Sequence, residues 1–192
     1  MTRIVAISGS RREASTTRAA LSVALDAAGD AGAETDLIDL GAVDLPLYHP
    51  DEDTQGDSDA LKRRVREADG VLAGTPVYRG SYSSTFKNFH DFCGSGEYEN
   101  TAVGLLATAG GGSYGGTLEH LRSTFRNVHA WTVPHEVGIR NASSVVATNG
   151  GPNSDDGLRI GGDGLRIADD DIRERTERLG RVVVEHAERL RQ

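Results

Sequence analysis

Short apolar runs alternate along this chain with longer stretches in which apolar residues recur every three or four positions. The first run, Ile4 to Ser8, ends in Ser8-Gly9-Ser10, and Ser15 to Ala31 behind it is rich in Ala and Leu at helical spacing. Thr35 to Leu40 alternates as a strand with one more exposed face, and the charged stretch Asp59 to Ala68 reads as a helix leading into a buried strand, Gly70 to Thr75. The period then repeats with a helix at Ser83 to Phe92, a buried strand at Ala102 to Thr108, a helix at Thr117 to Phe125 and a strand at Val128 to Val133. A last helix is expected from Ile172 to Leu190, with Asp169-Asp170-Asp171 at its positive end and Asp171 and Glu174 at capping-box spacing. Strands alternating with helices predict a parallel sheet covered on both faces, because right-handed crossovers lay the helices against it. Five strands and five helices fit one domain, residues 1–192.

One segment interrupts this rhythm. Residues 149–168 form a Gly/Asp-rich insertion in which Asp-Gly-Leu-Arg-Ile occurs twice, at Asp156 to Ile160 and Asp163 to Ile167. Its turn chemistry predicts a surface hairpin about Gly161-Gly162.

Composition narrows the function classes. A formal charge of -8 and no evident basic patch argue against nucleic-acid binding, and no apolar run reaches the length of a membrane span. The single cysteine, Cys93, leaves no internal disulfide or multi-cysteine metal site and suggests a cytoplasmic address, as does a start that runs directly into a strand pattern. The basic set holds 19 Arg and two Lys, Lys62 and Lys87, against 17 Asp and 12 Glu. Two origins fit this bias: adaptation to high internal salt, and a GC-rich genome.

Ligands of open parallel sheets bind beyond the carboxyl ends of the strands. Three unusual loops fall there. Gly9 to Thr17 combines Ser10, Arg11, Arg12, Ser15, Thr16 and Thr17 with a helix start, a donor set matched to a terminal phosphate, although a helix cap alone would use one of these hydroxyls. It is neither G-x-x-x-x-G-K-[ST] nor G-x-G-x-x-G, which removes the main support for a nucleoside triphosphate or a conventionally bound dinucleotide. Thr75 to Ser84 offers Pro76, Tyr78, Arg79, Gly80, Ser81 and Tyr82, suited to a planar heterocycle. Thr108 to Gly116 carries five glycines between Gly110 and Gly116, which would let main chain pass close to a ligand.

Gly9-Ser10-x-Arg12-x-x-Ser15-x-Thr17, then Thr75-Pro76-x-Tyr78-x-Gly80-Ser81-Tyr82 continuing into Phe86-Lys87-Asn88-Phe89-x-Asp91, then Gly110 to Gly116, resemble the NADPH-dependent FMN reductase family, over roughly Arg3 to Val133. The resemblance implies a flavodoxin-like, doubly wound, three-layer α/β fold with a five-stranded parallel sheet of order 2-1-3-4-5. It implies FMN as cofactor, its phosphate on Ser10, Arg12, Ser15 and Thr17, with the neighbouring Thr16 in the same hydroxyl cluster. Pro76, Val77, Tyr78, Arg79, Gly80 and Ser81 would lie along the flavin, and Thr108, Ala109, Gly110, Gly111 and Gly112, with Tyr114 in the same loop, would flank the ring. Thr17 stands where the family often has Asn, and residues 149–168 depart from its pattern.

The implied activity is hydride transfer from NADPH or NADH to FMN and on to a small-molecule acceptor: a flavin, a quinone, an azo compound or an oxidised metal ion. The flavin carries the chemistry, so no catalytic side chain and no metal ligand is assigned; His90, His120 and His129 read as surface residues. An electron carrier of the same fold without a nicotinamide site is the alternative, and a regulatory domain that has lost flavin is disfavoured by three intact loops. A homodimer or homotetramer is expected, with Phe86, Phe89, Phe92 and Trp131 serving either an interface or the core. If the Lys-poor acidic surface reflects salt adaptation, the melting temperature should rise steeply from low to molar KCl; a flat or falling curve would favour genomic bias.

Overall fold

The computed structural model describes residues 1–148 and 165–191. The elements run β1 (Arg3–Ser8), α1 (Thr16–Asp30), β2 (Glu34–Asp39), α2 (Ser58–Arg66), β3 (Gly70–Pro76), α3 (Ser84–Phe92), α4 (Ser95–Tyr98), β4 (Ala102–Thr108), α5 (Gly115–Asn127), β5 (Trp131–Ile139), α6 (Ala142–Val145), β6 (Val146–Thr148), β7 (Leu165–Ile167) and α7 (Asp170–Leu190). Five strands form one parallel sheet in the order β2-β1-β3-β4-β5, as expected. Every residue of β3 and β4 is buried, which is why both read as continuous apolar runs.

Alternation along the strands sends side chains to two separate cores. Ile4, Ala6, Leu72 and Leu106 pack with Leu21 and Ala24 of α1 and Leu179 and Val183 of α7. Val5, Ile7, Val71, Ala73, Val103 and Leu105 face the other way, against Leu61 and Val65 of α2, Phe86 and Phe89 of α3, and Leu118 and Phe125 of α5. The helices thus cover both faces, and among the described residues none is long and apolar enough to cross a membrane.

Three expectations need correction. The fifth strand is not Val128 to Val133 but Trp131–Ile139; Val128 and the left-handed His129 (φ 64°) close α5 instead. Pro134 hid the strand's length, yet it sits exposed on an edge strand, where the register slips between Val103 and Leu105 and a missing N–H is tolerated. The last helix starts at Asp170, and its cap is Asp169, whose carboxylate accepts from the Ile172 N–H at 3.0 Å, rather than Asp171. His90 is buried rather than a surface residue.

The hairpin turn expected about Gly161-Gly162 lies outside the described residues. The second copy of the repeat contributes Leu165–Ile167, which pairs antiparallel with Val146–Thr148.

α1 and α7 meet closely at Gly180, where a Cβ would stand 1.9 Å from the Ala24 carbonyl oxygen. In an open helix interior Gly→Ala gains about 1 kcal/mol. Gly180→Ala should instead cost about 1–3 kcal/mol, as overpacking does, read as a lower urea midpoint at unchanged slope.

Candidate functional site

The first loop is built by a helix start. Ser15 caps α1, its hydroxyl accepting from the Arg18 N–H at 3.0 Å, and the side chain is fully buried. Thr16 and Thr17 follow in the first turn, where backbone N–H groups have no intrahelical acceptor, and no acidic residue stands in that turn to neutralise its positive end. The buried Ser10 hydroxyl accepts from the Arg12 N–H at 3.3 Å, folding the loop back on itself. Of the basic residues here, Arg12 lines the cleft described below, whereas Arg18 pairs with Asp39 at 2.7 Å.

Hydroxyls fasten the second loop to the first. The Ser83 N–H donates to Thr75 Oγ1 at 2.9 Å, and the Ser83 hydroxyl donates to the Gly9 carbonyl at 2.7 Å while accepting from the Phe86 N–H at 3.0 Å as the cap of α3. Between them the chain reverses at Arg79-Gly80, whose φ values are 53° and 80°. Tyr78 and Ser81 exchange backbone hydrogen bonds of 2.9 and 3.1 Å across the reversal.

The third loop leaves β4 under equal control. Thr108 and Thr17 share a buried hydroxyl–hydroxyl bond of 2.6 Å, tying the start of α1 to the end of β4. Beyond it three glycines are unconfined among the described residues: a Cβ at Gly110 or Gly112 would meet nothing within 4 Å, and one at Gly111 only Asn141 Oδ1 at 3.9 Å. Their lack of side chains is not required by contacts among the described residues.

These loops converge on one cleft of about 280 Å³, lined by Ser10, Arg12, Ala14, Thr16, Thr17, Pro76, Val77, Tyr78, Thr108, Ala109, Gly110, Ala142 and Ser143. That volume is at the small end for ligand clefts, which run about 300–1,000 Å³, so a larger ligand would stand partly outside it. Arg79, Gly80, Ser81, Gly111 and Gly112 lie beyond its lining, on the turn and loop around the mouth. Tyr114 turns away: its ring lies on β5 where a Cβ at Gly138 would meet it at 2.0 Å. Ala142 and Ser143, at the start of α6, are lining residues that the sequence reading missed. The signal was the apolar set Val133, Val137 and Ile139, which carries β5 past Pro134 to the mouth of the cleft.

Two larger clefts, of about 700 and 490 Å³, lie against α3, α5 and the start of β5, away from the carboxyl ends of the strands. Beside the former, burial holds the His90 imidazole below its ordinary pKa, with its Nδ1 unpaired among the rings of Phe86, Tyr98 and Phe125.

A family model described as NADPH-dependent FMN reductase matches residues 2–144, about three quarters of the chain. The chain belongs to that family. It is accordingly an oxidoreductase working with FMN and a nicotinamide electron donor. It is similar to an NADPH azoreductase of Bacillus sp. (strain OY1-2), 34% identical over 139 residues, covering 70% of this chain and 75% of that protein. An FMN-dependent NADPH-azoreductase of Staphylococcus saprophyticus is 35% identical over 81 residues, which span 42% of this chain and 43% of the relative. Among solved structures, an NADH:FMN oxidoreductase in its apo form superposes with a TM-score of 0.73 at 20% identity, covering 96% of this chain and 89% of that one. A flavodoxin from the domain Archaea gives 0.65 at 11% identity over 100% of both. These two likenesses are of fold: the flavodoxin-like three-layer architecture.

Cys93 is buried in the core, bordering the cleft of about 700 Å³ and not the one of about 280 Å³, and burial pushes its thiol up to about 12. At pH 8 its thiolate fraction would be on the order of 10⁻⁴, and the thiolate is the nucleophile. The native reductase should therefore leave an aromatic disulfide reagent unreacted at pH 8 and release one equivalent of thiolate dye only on denaturation.

Proposed function

We propose that the cleft binds FMN with its phosphate on the Ser10–Thr17 loop and its ring between Pro76–Tyr78 and Thr108–Gly110, and that NADPH or NADH reduces it for a small-molecule acceptor. The observation that carries this reading is the convergence of an anion-matched donor set with two ring-sized loop edges in one cleft. The residues fit the group. Ser10, Arg12, Thr16 and Thr17 supply hydroxyl, guanidinium and helix-start donors at one end, and Pro76, Val77, Tyr78 and Ala109 supply apolar surface at the other.

When bound, FMN supplies a ring that accepts a hydride at N5 and passes electrons on. The chain's own part is to bind and orient. Arg12 and the first turn of α1 offset phosphate charge, and the Thr17–Thr108 bond fixes the distance between the phosphate end and the ring end. Arg79, exposed on the turn, stands at the entry side, where a nicotinamide would approach. Similarity to the Bacillus azoreductase favours an azo compound as one acceptor.

An electron carrier without a nicotinamide site finds less support, since likeness to flavodoxin is of fold only while the reductase family model spans three loops. The proposed homodimer or homotetramer would use Trp131, which is 61% exposed, rather than the buried Phe86, Phe89 and Phe92. A cytoplasmic address rests on the single cysteine.

Arg12→Ala should weaken FMN binding by about 1.5–3 kcal/mol, the scale of a charge-assisted hydrogen bond, and riboflavin binding much less. Equal losses for both flavins would remove the phosphate assignment. Anaerobic mixing of the FMN-loaded protein with NADPH or NADH should bleach the flavin absorbance in a single turnover; no bleaching by either would favour the carrier.

A further inference from the structure

A contact between the second loop and α5 lies just outside the cleft. The Arg79-Gly80 reversal has two left-handed residues in succession, a turn whose first position favours Asn, Asp or Gly. Arg79 carries a steric penalty there that its surroundings must hold in place. The turn's own two backbone bonds join only Tyr78 and Ser81.

External support comes from one face of α5. His120 Nδ1 stands 2.9 Å from the Ser81 hydroxyl, and its ring meets Tyr82 edge-on with centroids 6.4 Å apart. Gly116, one helical turn earlier and so on the same face, lies under the turn: a Cβ there would be 3.5 Å from the Gly80 carbonyl oxygen. Gly116 and His120 together make a seat for the turn. Tyr78, the residue that opens the turn, also lines the cleft, so movement of the turn moves a cleft wall. A serine hydroxyl can donate or accept, and the bond can form with either protonation state of the imidazole.

We infer that His120 is a positioning residue for the reductase reaction: through Ser81 it pins the Tyr78–Ser81 turn to α5 and sets where Tyr78 stands over the cleft. The role is mechanical rather than acid–base, and its place in the reaction rests on the flavin reading of the cleft.

The test compares His120→Ala, His120→Asn, Ser81→Ala and the His120→Ala/Ser81→Ala pair. In the flavin-free protein, His120→Ala should speed amide hydrogen exchange at Tyr78 and Ser81 at least tenfold, leaving the Val77 N–H, bonded to the Thr108 carbonyl at 2.8 Å, protected. In the FMN-loaded protein, His120→Ala and Ser81→Ala should each lower kcat/KM for NADPH three- to tenfold, with an unshifted pH profile. The pair should be no worse than either single change, and His120→Asn, which can keep the bond, should return to within twofold of wild type. Wild-type exchange in His120→Ala, fast exchange with wild-type kinetics, or losses that multiply in the pair would each overturn the inference. A wild-type protein that binds no FMN would overturn the flavin reading instead, and the exchange experiment would still decide whether His120 holds the turn.

Discussion

The site depends on a backbone constraint, the continuation of sheet hydrogen bonding past the ends of the strands. Gly9 donates to Gly74, Val77 to Thr108, Ala109 to Ile139 and Ala142 to Ala109, at 2.8–3.0 Å, so each chain leaving the sheet is strapped to its neighbour for one further step. A buried N–H left without a partner costs about 1–3 kcal/mol, which discourages any loop from peeling back to its strand. The floor of the cleft is therefore an extension of the sheet. Thr17, Thr75, Ser83 and Thr108 add side-chain bonds at the same level, all of them buried.

Much of this was legible in the sequence because fully buried parallel strands announce themselves as apolar runs. Ile4 to Ser8, Gly70 to Thr75 and Ala102 to Thr108 fall within a residue of the observed strands. The edge strand was harder. Trp131, Pro134 and other partly exposed positions break the alternation of β5, and the proline looks like a terminus until the bulge that accommodates it is known. Misplacing that end also hid Ala142 and Ser143, since a residue joins the cleft through the exit of its strand.

The candidate site divides in the same way. In the first loop, hydroxyls and Arg12 stand out by residue type, and Ser10, Arg12, Thr16 and Thr17 line one cleft. Ser15 has a second use, for its hydroxyl accepts from the helix it starts and keeps its O–H as a donor. Tyr114, expected among the glycines beside a ligand ring, fills the space that Gly138 leaves on β5. Which groups face a cleft and which face the core follows from tertiary packing, which no local pattern encodes.

The short ribbon of β6 and β7 has an evolutionary consequence. Thr148 and Leu165 are register partners, so the two ends of the connection between them stand side by side. Closing a connection whose ends are already together becomes only slowly more costly with length, about 0.6 kcal/mol for each doubling. Duplication or loss of a short unit such as Asp-Gly-Leu-Arg-Ile between those points would change that closure cost by less than about 0.6 kcal/mol. The ribbon thus acts as a graft point, where the connection can change in length at small entropic cost.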